Sequence, residues 1–123
     1  MSYIDGFVLL VPKKNRNAYK KMANEAKKMW MKYGAIGYFE CLQDDMNPEW
    51  GRNMIQTFPK LTKAKKNEDI WYSFIIYKNK KHRDSINKKI TKEMEKDKEK
   101  QKDTKMPFEL KKMTFGGFKT LVE

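Results

Sequence analysis

The chain has little of what metal, redox and secreted chemistry requires. Among its 123 residues there is one cysteine, Cys41, and one histidine, His82. A lone cysteine closes no intrachain disulfide, and a reducing cytoplasm suits it best. One cysteine and one histidine also make neither a zinc finger nor a multi-histidine centre, so no metal or cofactor is expected. No uninterrupted apolar run approaches the ~18 residues of a membrane span, so no membrane role is expected. The opening "MSYIDGFVLLVPKK" has no basic segment ahead of its apolar one, and Asp5 stands where a signal peptide would carry lysine. Glycine-rich phosphate cradles, dinucleotide fingerprints and Ser/His/Asp groupings are missing too.

Arginine is scarce as well. Only Arg16, Arg52 and Arg83 occur, although 28 Lys+Arg against 16 Asp+Glu give a net charge of +12. Lysine supplies a diffuse positive field, whereas sequence-reading nucleic-acid interfaces lean on arginine forks. Much of the lysine is interleaved with acid, as in "KEMEKDKEKQKD", the pattern of a solvated helical face. RNA binding through the Lys-rich second helix therefore ranks below the other readings, and nucleic acid is not expected as a partner.

What is abundant is aromatic and two-faced. Aromatics reach 13%, and 123 residues suffice for one compact domain. "YIDGFVLLV" (3–11) reads as a strand ended by Pro12 and mostly apolar on both faces. Tyr19, Met22, Ala23, Ala26, Met29, Trp30 and Tyr33 then follow helical spacing, with Asn15 placed to cap and Gly34 to terminate. "AIGYFECLQ" (35–43) is a second strand. A polar, irregular stretch at about 44–69 should be partly ordered around Trp50 and Phe58. "IWYSFIIYK" (70–78) is the strongest strand and again apolar on both faces. A second helix should start near Asn79, with a thin stripe of Ile86, Ile90 and Met94 and an Asp84–Lys88 pair outside. The Lys-rich segment at about 95–105 reads as a solvated extension or a mobile stretch. In "KMTFGGFKTLVE" the apolar phase flips across Gly116-Gly117, which predicts a β-bulge or a close backbone approach.

The order β-α-β-β-α-β is the ferredoxin-like α+β arrangement, an antiparallel sheet with both helices on one face. Helices on one side leave the other side of a two-faced sheet bare. A second copy packed face to face is the economical cover, so a homodimer is expected.

The segments "MSYIDGFVLLVPKKN", "AYKKMA", "ECLQDD", "IIYKNKKHRDSIN" and "MPFELKKMTFGGF" together resemble the YbaA-like family of uncharacterised bacterial proteins, domain of unknown function 1428. The resemblance is collinear over nearly the whole chain. The stretch from Met46 to Gln56 is longer than the family's short turn, and the Lys-rich stretch after Glu95 departs from its pattern. The resemblance implies a dimeric α+β barrel and no established activity. Its more distant fold relatives include monooxygenases, haem-degrading enzymes and small-molecule-binding dimers, an analogy of fold alone.

Candidate site residues follow from chemistry and position. His82 should be the third helical residue after Asn79, where the helix dipole and neighbouring cations disfavour the imidazolium. A packed structural histidine is the preferred reading; a ligand-site role ranks second. Asp5, in a central strand, is either a perturbed carboxylate in a cleft or a strand-end carboxylate that pairs with a lysine or faces the dimer interface. Glu40 and Cys41 should point to opposite faces. Asp44, Asp45, Asn47 and Glu49 suggest a calcium loop, but Trp50 and Gln56 stand where glycine and a bidentate glutamate are needed, so that reading fails. Asp5, Tyr38, Glu40, Tyr72, Phe74, His82 and Arg83 are thus the candidates for a small-molecule cleft. The rival is a cofactor-independent monooxygenase- or isomerase-like enzyme with His82 or Asp5 as proton acceptor.

Overall fold

The computed structural model describes residues 1–97 and 105–123. Its elements are β1 (Tyr3–Pro12), α1 (Arg16–Lys32), β2 (Gly37–Leu42), α2 (Phe58–Thr62), β3 (Glu68–Tyr77), α3 (Lys80–Lys96) and β4 (Met113–Lys119). The strands form one antiparallel sheet in the order β2-β3-β1-β4. The two strands whose sequences are apolar on both faces, β1 and β3, are the central pair. The fold is the ferredoxin-like α+β arrangement, with the short helix α2 added. Among the described residues no helix is long and apolar enough to cross a membrane.

Register decides which side chains meet the helices. Leu9, Val11 and Trp71 pack with Tyr19 and Ala23 of α1 and with Phe108. Ile75 and Tyr77 pack with Ile86 and Ile90 of α3 and with Ala35. Both helices therefore cover the odd-numbered residues of β1 and β3. Burying each such Leu, Val or Ile contributes roughly 1.5–3 kcal/mol. On the opposite face lie Ile4, Val8, Phe39, Cys41, Tyr72, Phe74, Ile76 and Phe118. At one end of that face α2 sets Phe58 edge-on to Tyr72, with ring centroids 6.4 Å apart.

Local signals explain where the helices begin and end. Asn79 accepts a hydrogen bond from the His82 backbone N–H at 2.8 Å, an N-cap worth about 1 kcal/mol. Gly34 closes α1 with φ +104°, a backbone conformation that favours glycine. Asn15 stands at the N-cap position of α1 but does not cap it. Its amide instead donates to the Pro107 carbonyl at 3.0 Å, tying the segment before β4 to the helix start.

Several expectations are corrected. No bulge interrupts β4: its pairing with β1 runs unbroken from Met113–Leu9 to Lys119–Tyr3. The apolar phase flips because Phe115 and Phe118 lie on opposite faces of a regular edge strand. Gly117 is small because the Tyr3 ring occupies the space a Cβ would fill. Trp50 is 82% exposed and orders nothing; Phe58 is the residue of that stretch that packs on the sheet. Strand β3 begins at Glu68, ahead of the first apolar residue, because ion pairs accompany two buried acids there. Lys112 meets Glu68 at 2.7 Å, and Arg16 holds Asp69 by two bonds of 2.7 and 2.8 Å. Asp84 pairs with Lys80 and Arg83 at 3.2 and 2.9 Å, not with Lys88. The Lys-rich segment lies largely outside the described residues; α3 itself runs to Lys96.

Candidate functional site

The sheet and α1 enclose a cavity of about 190 Å³ whose lining is almost wholly apolar. Phe7, Met22, Ala26, Trp30, Ile75 and Met113 contribute to its wall, and Glu40, Tyr19, Tyr38 and Ser73 supply its polar groups. It is smaller than the ~300–1,000 Å³ of pockets that take drug-sized ligands.

Strand geometry brings the polar groups together. Tyr38 and Glu40 are two residues apart on β2 and share a face, and Glu40 lies directly opposite Ser73 of β3. Tyr19 descends from α1. Its hydroxyl donates to Glu40 Oε2 at 2.8 Å, and the Tyr38 hydroxyl donates to Oε1 at 2.9 Å. Burial raises the Glu40 carboxyl above its ordinary range, while hydrogen bonds from Tyr19, Tyr38 and Ser73 pull it partly back. Burial, then the adjacent carboxylate, pushes both tyrosines far above the usual phenol value. These phenols stay protonated and act as fixed donors. The arrangement presents one ionisable oxygen pair, held by fixed donors, to an apolar space.

A second polar cluster lies on the same sheet face. Asp5, 5% exposed, meets Arg83 Nη1 at 3.0 Å. Arg83 Nη2 donates to the Tyr3 hydroxyl at 3.3 Å, and the guanidinium lies over the Tyr3 ring, 5.0 Å from its centroid. Burial raises the Asp5 carboxyl and the Arg83 charge opposes that rise. His82 sits nearby, half-buried, with its ring edge-on to Tyr77. Its Nδ1 accepts from the Lys78 backbone N–H at 3.0 Å, so that nitrogen is engaged by the chain itself. These contacts fasten α3 to the central strands. Neither Asp5, His82 nor Arg83 borders the Glu40 cavity.

The seven sequence candidates thus divide three ways. Tyr38 and Glu40 share the cavity; Asp5, His82 and Arg83 gather at the foot of α3. Tyr72 and Phe74 project from the opposite sheet face and belong to neither group, because even-numbered residues of β3 point away from the helices. Asp5 takes an arginine as its partner, not a lysine. Glu40 and Cys41 do point to opposite faces, with Cys41 exposed. Tyr19, Ser73 and Trp30 were missed. Tyr19 and Trp30 look like helix core by spacing, and both do pack. Ser73 had a signal: it is the one hydroxyl of its size inside "IWYSFIIYK".

The sequence model of one family, described as "Protein of unknown function (DUF1428)", matches residues 2–110. The chain is 34% identical over 123 residues to "Uncharacterized protein YbaA" of Escherichia coli strain K12, covering 100% of this chain and 99% of that protein. The same description, identity and coverage apply to a protein of Shigella flexneri.

Proposed function

Because the chain belongs to the DUF1428 family of proteins of unknown function, its role has to be read from its own chemistry, and we propose a homodimer that binds a small molecule beneath α1. The observation that carries the binding reading is Glu40, an ionisable group held by two phenol donors inside an otherwise apolar cavity. Convergent polar groups in an apolar concavity are the general signature of a ligand site. A fragment series followed by thermal unfolding tests it. Ligands that raise the Tm of the native chain should lose that effect in Ala26→Leu, which adds bulk to the cavity wall. Equal shifts in both proteins would dismiss the site.

The homodimer reading rests on the uncovered sheet face. Phe39, Tyr72 and Phe118 there are 48%, 47% and 62% exposed. Phe39 stacks on Phe74 with ring centroids 4.9 Å apart, which gives the patch a rigid aromatic centre. The only charged strand side chain on this face is Glu68 at the end of β3, and Lys112 pairs with it at 2.7 Å. In a chain of net charge +12 it is the surface on which two copies meet without setting lysines against lysines. Sedimentation equilibrium should report a dimer, and Phe74→Glu a folded monomer; a native chain that sediments as a monomer at ~10 μM, a concentration at which interfaces of micromolar affinity are populated, removes the reading. The single free Cys41 supports a cytoplasmic location in the bacterial cell.

A further inference from the structure

Among the described residues, every partly or fully buried carboxylate but one is paired with a cation. Five carboxylates among the described residues are at least partly buried: Asp5, Glu40, Glu68, Asp69 and Glu93. Asp5 has Arg83, Glu68 has Lys112, Asp69 has Arg16 and Glu93 has Lys32. Glu40 has only neutral hydroxyls about it, those of Tyr19 and Tyr38 at 2.8 and 2.9 Å and that of Ser73 across the strand pair, and no lysine or arginine of the described residues pairs with it. This is notable in a protein with 28 lysines and arginines. A half-buried carboxylate favours a cationic partner because neutral donors offset only part of its desolvation. The rest of the cavity suits the body of such a partner. Trp30, Tyr38 and Tyr19 present aromatic rings at its wall, with Trp30 and Tyr38 centroids 6.2 Å apart, and ring faces attract ammonium groups. Phe7, Met22 and Met113 offer apolar contact for a hydrocarbon portion.

We propose that the cavity selects a small organic ammonium, its charged head on Glu40 between the two tyrosine hydroxyls and its apolar body against Phe7, Met22 and Met113. The inference rests on the binding reading above and adds the charge class of the ligand. The ammonium donates to the outward lone pairs of Glu40 while Tyr19 and Tyr38 keep theirs engaged. Anions of the same shape are rejected by the carboxylate, and neutral alcohols gain one ordinary hydrogen bond in place of a charge-assisted one.

Three probes of one shape test it on the full chain: benzylammonium, benzyl alcohol and benzoate, each titrated while amide resonances of Ser73 and Ala26 are followed by NMR. Benzylammonium should bind at least tenfold more tightly than benzyl alcohol, and benzoate should leave both resonances unmoved. Glu40→Gln should remove that tenfold preference, the ammonium losing at least tenfold more affinity than the alcohol. Should Glu40→Gln fail to fold, Tyr38→Phe takes its place. That variant deprives the carboxylate of one donor, so the preference for the ammonium should persist or grow. Equal binding of alcohol and ammonium in the native chain, or a preference untouched by Glu40→Gln, overturns the ammonium assignment and leaves the binding site standing. If none of the three probes moves either resonance, the cavity is no ligand site and both readings fall together.

Discussion

Asp5 and Glu40 stand on the same face of one sheet, one on central β1 and the other on edge strand β2, and burial raises both carboxyls. Their surroundings nevertheless differ in kind. Asp5 is bound to Arg83, which also lies over Tyr3 and so closes the space around it. Glu40 is met by neutral phenols and opens onto a cavity. A carboxylate that its own chain neutralises is a fastening. One that its chain only orients keeps capacity for something else. The contrast separates structure from site without reference to either residue's identity, since both are acids in strands.

Breaking the fastening should have the largest effect. Arg83→Met leaves Asp5 buried and unpaired, and loss of one partner from such a pair costs about 3 kcal/mol. The urea midpoint should fall accordingly, and adding Asp5→Asn in the same chain should recover part of the loss. Removing a donor from the site should matter less. Tyr19→Phe deletes one hydrogen bond to a half-buried carboxylate, a loss of roughly 1.5 kcal/mol measured by the same denaturation. A loss in Tyr19→Phe as great as in Arg83→Met would erase the distinction between the two clusters.

The smallest effects lie in pH dependence and have opposite signs. Burial raises Glu40 in the folded state, so its contribution to stability is full below the unfolded value and is lost as pH rises through the folded one. Native stability minus that of Glu40→Gln should therefore decline as pH rises above the unfolded glutamate value near 4.3. Glu68 is the control. The hydrogen bond from Lys112 lowers it, so its contribution is present above the unfolded value and lost as pH falls through the folded one. Native minus Glu68→Gln should decline on acidification. Parallel curves for the two variants would contradict the assignment of one acid as paired and the other as unpaired.

Much of the fold was legible in the residues. The two-faced strands "YIDGFVLLV" and "IWYSFIIYK" are the central pair, the Tyr19–Tyr33 stripe is α1, and Asn79 caps α3 by the His82 N–H. Less of the site was legible. Tyr38 and Glu40 lie together on the cavity side, whereas Tyr72 and Phe74, of the same chemical kind, occupy the other face. The β4 bulge was inferred from one strand's alternation, whereas Phe115 and Phe118 simply serve opposite faces of an edge strand. The Asp84–Lys88 pair gave way to Lys80 and Arg83 because several cations compete for one exposed acid at helical spacing.

The sequence by itself determined the order of elements and the apolarity of both faces of β1 and β3, because periods of two and of 3.6 residues are local properties of the chain. Only the tertiary structure decided which acid would be neutralised and which left to face a cavity. That outcome depends on contacts between distant residues: Arg83 lies 78 positions from Asp5, and Tyr19 lies 21 from Glu40. Register and helix placement bring these side chains together, and neither is written in the neighbourhood of the residue it neutralises.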